Sequence, residues 1–286
     1  SDRDGGGRSG CGAARLRRGW RLFEEGRWET LGDWLDAIPG EELAAQPRLQ
    51  VWKARVLHWL NQLDASLALI SQAIGALERD KDKVTLAEAL MVKGTCLRIK
   101  GDYEDSRAVL VEARDLLKAN GSPPGRLAEV RKELGMTLSR TTDLKESIKE
   151  LSEVLEYYEG QGDSYNIAQT SVELACSIAF AGRPGETIGY LERAREIWTR
   201  LRNDSSLVQT IITLGVVYHL TGDLSQAEAT LKQGVEVAER AGNLKWELYL
   251  VTSIADIRRD EGDYQAALET YTRMLDQAWA VNDSYI

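Results

Sequence analysis

The side chains that could do chemistry are few and far apart. The 286-residue sequence holds two histidines, His58 and His219, 161 positions apart. Neither belongs to a His-Glu-x-x-His pair or to another metal-ligand spacing, and the phosphate-cradling loop Gly-x-x-x-x-Gly-Lys-[Ser/Thr] does not occur. The three cysteines, Cys11, Cys96 and Cys176, are scattered and form no Cys-x-x-Cys pair. Neither a disulfide framework nor a zinc site is expected, and a reducing cytoplasm fits. Nucleophile, base and orienting group never converge in the pattern. The expectation is therefore no enzyme, no metal and no cofactor.

Charge narrows the partners. The net charge is −9 and the pI about 5.0, whereas nucleic-acid-binding domains carry a basic footprint. Direct nucleic-acid contact is not expected. A local cluster of Arg15, Arg17, Arg18 and Arg21 reads as a solvated helix, or as a contact to a domain upstream, ahead of a phosphate site. Glu146, Glu150 and Glu153 read as a solvated helix face. No apolar run approaches the roughly 20 residues that span a bilayer, and the N-terminus has no signal-peptide core. Apolar residues make up 43 % of the chain, but only two are Phe, so Leu, Ile, Val, Ala, Tyr and Trp must build the core.

The elements that position these residues announce themselves by punctuation. A turn signal begins at Gly26, Asn61, Gly101, Thr142, Gly182, Gly222 and Gly262, at intervals of 35, 40, 41, 40, 40 and 40 residues. A fixed period in this range marks a solenoid of stacked supersecondary units. Between the turns, apolar residues follow helical spacing, as in Leu207, Ile211, Leu214, Val217 and Tyr218. Gly222 supplies a left-handed helix end and Asp223 an N-cap for the next helix. First helices are expected near 47–60, 84–100, 126–140, 164–181, 205–221 and 244–261. Second helices are expected near 63–79, 103–119, 144–160, 185–201, 224–241 and 264–281. A shorter pair at 13–25 and 28–37 opens the array. The fold class is all-α: a right-handed superhelical solenoid of about seven antiparallel helix pairs. Residues 1–12 are expected to form a flexible leader, and 13–286 one repeat domain. Asn282-Asp283-Ser284-Tyr285-Ile286 resembles Gly162-Asp163-Ser164-Tyr165-Asn166-Ile167, which opens an earlier helix. The array is thus expected to be a fragment of a longer protein.

The order of small and large residues resembles the tetratricopeptide repeat. Ile211, Leu214, Gly215, Tyr218, Gly222, Ala227, Leu231 and Gly234 match it, as do Gly94, Leu97, Gly101, Tyr103, Ser106, Leu110 and Ala113. Ala255, Gly262, Tyr264, Ala267 and Tyr271 match in part. The period of 40 exceeds the usual 34, so the helices must be about a turn longer. A long-helix variant of this kind is similar to the repeat domain of the MalT-like transcription activators. Gly26-Arg27-Trp28-Glu29-Thr30-Leu31, Trp34-Leu35-Asp36-Ala37-Ile38-Pro39 and Gln46-Pro47-Arg48-Leu49 resemble the entry to that domain. The family's ATPase and DNA-binding helices have no counterpart in this sequence. The resemblance implies a cytoplasmic sensor that receives an inducer and transmits its binding to other domains of the same chain.

It also implies a concave groove lined by the first helices. Transferring the repeat register gives Arg48, Val51, Arg55, His58 and Trp59 from one repeat, then Glu88, Met91, Thr95 and Arg98 from the next. Glu129, Lys132, Met136, Ser139 and Arg140 come after them. Gln169, Val172, Cys176 and Phe180 follow, then Gln209, Ile212, Val216 and His219, and last Tyr249, Thr252, Asp256 and Arg259. From these, Arg55, His58, Trp59, Arg98, Met136, Phe180 and His219 are the expected ligand-binding residues. Val51, Met91, Val172, Ile212 and Val216 are expected to give the groove apolar character; the competing readings are that Val172, Phe180 and Ile212 fill the core between repeats, and that Arg55, His58 and Arg98 serve intramolecular ion pairs. The occupant would be a protein segment, a peptide or a small-molecule inducer. A general scaffold or peptide-binding adaptor without a transcription role is the alternative reading.

Overall fold

The computed structural model describes residues 28–79 and 81–280. The leader, the helix expected at 13–25, the turn at Gly26, the arginine cluster and residues 282–286 lie outside the described residues. The described residues contain α-helices, one 3-10 turn and no strand. The chain divides into two compact units that meet in sequence at Thr141 and Thr142.

In the first unit, α1 (Trp28–Asp36) and a short α2 (Gly40–Ala44) precede two full helix pairs and one further helix. The pairs are α3 (Pro47–Trp59) with α4 (Leu63–Leu77), and α5 (Lys83–Lys100) with α6 (Tyr103–Ala119). The further helix is α7 (Pro124–Leu138). Leu31, Leu35, Ile38, Leu43, Leu49, Trp52 and Val56 pack α1 and α2 onto α3. The larger core runs from Val51 through Ile70, Leu90 and Leu110 to Leu134.

The second unit opens with α8 (Leu144–Gln161) and α9 (Ser164–Phe180). A 3-10 turn at Pro184–Thr187 leads into α10 (Ile188–Leu201), and α11 (Asp204–Leu220) and α12 (Leu224–Arg240) follow. It closes with α13 (Leu244–Asp260) and α14 (Tyr264–Ala280). Ala175, Leu191, Leu214 and Val217 form one cluster of its core.

The punctuation works as the sequence indicates. Gly222 has a φ of 83°. Its N–H donates to the His219 carbonyl at 3.0 Å, and the Asp223 N–H donates to the Tyr218 carbonyl at 2.9 Å. This is the Schellman end. The Asp223 carboxylate then accepts from the Gln226 N–H at 3.1 Å and caps α12. Two residues thus stop one helix and start the next. The turn near 142 is made differently. There α7 ends at Leu138, and the Thr141 N–H and hydroxyl both return to the Leu138 carbonyl.

Close helix crossings set the core. A Cβ built on Gly215 would sit 2.5 Å from Leu231 Cδ2, and one on Gly94 would sit 2.5 Å from Leu110 Cγ. The equivalent crossing of α3 and α4 uses Ala54, whose carbonyl accepts a 2.7 Å hydrogen bond from Ser66 Oγ. Ser106 Oγ bonds the Gly94 carbonyl in the same way, at 2.8 Å.

Four expectations change. The helix α2 is not anticipated by the apolar pattern. The second helix expected from 185 begins as a 3-10 turn, because Pro184 opens it. Val51, Met91 and Ile212 are buried rather than groove-lining, and Val51 and Met91 belong to the core of unit 1. Glu150 is also buried, at 1 % exposure. It sits three residues after buried Ser147 and four before buried Val154, which places it on the packed face of α8.

Candidate functional site

The first helices of unit 1 bring their polar side chains together. Arg126 of α7 pairs with Glu88 of α5 at 2.9 Å and with Glu129 of its own helix at 3.3 Å. Glu129 also lies 3.6 Å from Arg55 of α3, across the intervening α5. Arg98 of α5 donates to Glu133 of α7 at 2.9 Å, and the Thr95 hydroxyl approaches the same carboxylate at 3.2 Å. Arg48 of α3 reaches the N-cap of α5, meeting Asp82 at 2.9 Å and Thr85 at 3.2 Å. Three helices from three successive repeats are thus joined by charge.

Burial gives this cluster its electrostatic character. Desolvation lowers the Arg55 pKa, opposed by Glu129 and Glu88. Burial pushes the Glu88 carboxyl up, and Arg126 and Arg55 pull it back. Burial also opposes ionisation of Glu133, but Arg98, Lys132 and the hydrogen bonds from Arg98 and Thr95 outweigh it and hold the carboxyl below its ordinary range. His58 is depressed, first by burial and then by Arg98 and Arg55, with Glu133 opposing. Its imidazole is therefore neutral at physiological pH. His58 Nε2 and Arg98 Nε are both buried without a hydrogen-bond partner among the described residues. Beside them, the Trp59 indole is 56 % exposed and meets the His58 ring edge-on, with centroids 5.8 Å apart.

Unit 1 therefore holds Arg55, His58, Trp59, Arg98 and the half-buried Met136 of the expected set. It gathers Arg55, His58 and Arg98 around Glu129 and Glu133. The remaining two, Phe180 and His219, belong to unit 2. Phe180 ends α9 and is 57 % exposed. His219 of α11 bonds Asp260 of α13 through Nε2 at 2.8 Å, between the exposed Val216 and Leu220. Sequence reasoning missed Arg126 and Glu133. Their spacing from Glu129, three residues before and four after, was the available signal.

Among the described residues no cluster of His, Cys, Asp and Glu has the arrangement of a metal site, and no helix is long and apolar enough to cross a membrane. The arrangement offers fixed donors and acceptors and an aromatic plate, which are means of recognition.

Residues 166–240 match the tetratricopeptide repeat family model. No curated relative matches the sequence. Among solved structures, one similar fold is a Rap protein complexed with Competence and Sporulation Factor, at 18 % identity and a TM-score of 0.71, covering 95 % of this chain and 77 % of that one. NprR in complex with its cognate peptide NprX aligns at 13 % identity and a TM-score of 0.69, over 96 % and 80 % of the two chains. A signal transduction ATPase with numerous domains from Pyrococcus horikoshii, which carries a tetratricopeptide repeat sensor, aligns at 15 % identity and a TM-score of 0.73. The match covers 93 % of this chain and 42 % of that protein. At these identities the likeness concerns the fold. Residues 166–240 carry tetratricopeptide repeats, and the described chain has the helical-repeat fold of that family, resembling the repeat sensor of a multidomain ATPase.

Proposed function

We propose that this chain is a non-enzymatic recognition domain that captures a peptide or protein segment on the first-helix face of unit 1. The observation that carries this reading is the half-buried cluster of Arg55, His58, Arg98 and Glu133 beside the exposed Trp59. Buried polar atoms without a partner, here His58 Nε2 and Arg98 Nε, cost free energy, so a ligand that satisfies them gains it back. The indole offers a flat apolar surface for a side chain. Two proteins of similar fold are seen with a signalling factor or a cognate peptide, which supports a peptide over a sugar as the occupant.

In the finer form of this proposal the domain is the cytoplasmic sensor of a MalT-like activator. Repeats touch mainly their neighbours, so a ligand that spans α3, α5 and α7 biases their packing. It does so only by the difference in its affinity for the two arrangements. Downstream domains of the same chain would read that bias. The competing form is a scaffold or adaptor without a transcription role, which the complete open reading frame decides: the sensor form requires an ATPase upstream and a helix-turn-helix downstream.

A random-peptide display library panned on the full chain tests the recognition role. Selected peptides should lose about tenfold or more in affinity with Arg98→Ala and with Trp59→Ala, as expected for a lost charge-assisted bond or aromatic contact. Trp59 is exposed enough that its replacement leaves the fold intact. Selection of no peptide, or unchanged affinity in both variants, contradicts the proposal.

A further inference from the structure

The link between α6 and α7 contains Asn120-Gly121, and no other asparagine of the sequence is followed by glycine. Both residues are exposed. Asn120 caps the C-terminus of α6, and its Nδ2 donates to the Leu116 carbonyl at 2.7 Å. Gly121 follows with a φ of 58°. The Ser122 N–H then closes the turn on the Leu117 carbonyl at 3.2 Å.

One bond of this helix end is missing. Wherever else a described residue takes a left-handed φ, its N–H donates to the carbonyl three residues back. Asn61 reaches His58 in this way, Gly101 reaches Arg98 and Gly222 reaches His219. The Gly121 N–H has no hydrogen-bond partner among the described residues. Chain neighbours aside, no heavy atom lies within 4 Å of the place where a Cβ of Gly121 would stand. Glycine also has no side chain of its own to shield its nitrogen.

That nitrogen is the nucleophile of asparagine deamidation. It gives its proton to hydroxide, attacks the Asn120 Cγ and forms an N–Cγ bond. The Cγ–Nδ2 bond breaks, and Nδ2 takes a proton from water and leaves as ammonia. The product is a five-membered cyclic imide, which water reopens. Cleavage of the new N–Cγ bond gives aspartate. Cleavage between the nitrogen and the Asn120 backbone carbonyl carbon gives isoaspartate, whose main chain runs through Cβ and Cγ. Water and hydroxide are the only co-reactants, and nothing is oxidised or reduced. The attack requires the Asn120 ψ to leave its value of 10°. That motion opens the last turn of α6, and helix ends open at little cost.

We infer that Asn120 is a self-modifying site, which deamidates in the folded protein and loosens the end of α6. The product lacks the amide donor that holds the Leu116 carbonyl. It also places a carboxylate at the C-terminus of the helix, where the macrodipole opposes negative charge.

Incubation of the folded full chain in mild alkali, followed by peptide mapping with mass spectrometry, tests this inference. The peptide holding Asn120 should gain the mass difference between an amide and a carboxyl group. It should also split into two products of equal mass, aspartate and isoaspartate. Asn61, Asn166, Asn203, Asn243 and Asn282 should react at least about tenfold more slowly, because the residue after each carries a side chain. Asn120→Gln, which keeps the amide but needs a larger ring, should stay unmodified. The chain unfolded in guanidinium chloride sets the reference, and the folded rate at Asn120 should fall within about tenfold of it. Asn120→Asp reproduces the charge and the lost donor, and amide hydrogen exchange at Leu117–Ser122 should be several-fold faster in it. Asn120 intact in the folded chain but lost in the unfolded one, faster reaction at another asparagine, or unchanged exchange in Asn120→Asp overturns the inference.

Discussion

Gly215 shows what one residue decides. Its missing side chain lets α11 and α12 cross at a distance where Leu231 fills the gap. Even the Cβ of alanine would overlap a carbon of that buried leucine. We expect Gly215→Ala to destabilise the protein and Gly215→Leu to cost about 2 kcal/mol or more through overpacking. The measurement is the urea midpoint, and a loss under about 0.5 kcal/mol for Gly215→Leu would place the residue off the crossing. At the same scale His58 gives a pH dependence. Its folded pKa is lowered from 6.5, so its contribution is complete above that value and is lost as pH falls through the folded one. Glu133 adds a loss that begins only below 4.5. Glu88, whose carboxyl is raised, works in the opposite direction on acidification. We expect His58→Gln to reduce the drop in stability between pH 7.5 and 5.5, measured by urea unfolding at each pH. An unchanged drop would mean that His58 is not held neutral by burial. These pairings were not legible in the sequence. Periodicity placed Arg55, His58 and Arg98 on first helices, but it is blind to which carboxylate of a helix one or two repeats on will meet them.

At the scale of the element, most of the architecture was legible. Apart from the start of α10 after Pro184, the described helix ends fell within two residues of expectation, because glycine and its capping neighbour act locally. Gly222 and Asp223 need nothing outside the turn to do their work. Where the signal was not local, the reading failed. The helix α2 is five residues long, too short for periodicity to register between Pro39 and Pro47. Glu150 was placed in solvent by its type, although its spacing put it on the packed face of α8. The local mechanism makes a prediction of its own. Removing the cap with Asp223→Ala should cost about 1 kcal/mol, and Gly222→Ala about 1–2 kcal/mol because its φ of 83° disfavours a side chain. Both are read from thermal unfolding. Neutral outcomes at both positions would mean that packing alone, and not the turn, sets the helix boundary.

At the scale of the whole molecule, the sequence carried the fold class and the kind of function further than the site. A repeat of about 40 residues is a strong pattern, whereas a binding surface is an agreement among side chains that the repeat leaves variable. Val51, Met91 and Ile212 illustrate the limit, since a rotation of about 100° per residue on a helix separates groove from core. The net charge of −9 opposes phosphate, so the purified chain should not retain duplex DNA at physiological salt in a mobility-shift assay. Sequence-specific retention would contradict that reading. The central claim is that recognition occurs on the first helices of unit 1. Amide hydrogen exchange of the full chain, with and without a library-selected peptide, tests it most directly. The account predicts added protection in α3, α5 and α7 around Arg55, Arg98 and Glu133, with α4 and α6 unchanged. Protection confined to the second helices, or none in unit 1, would contradict it.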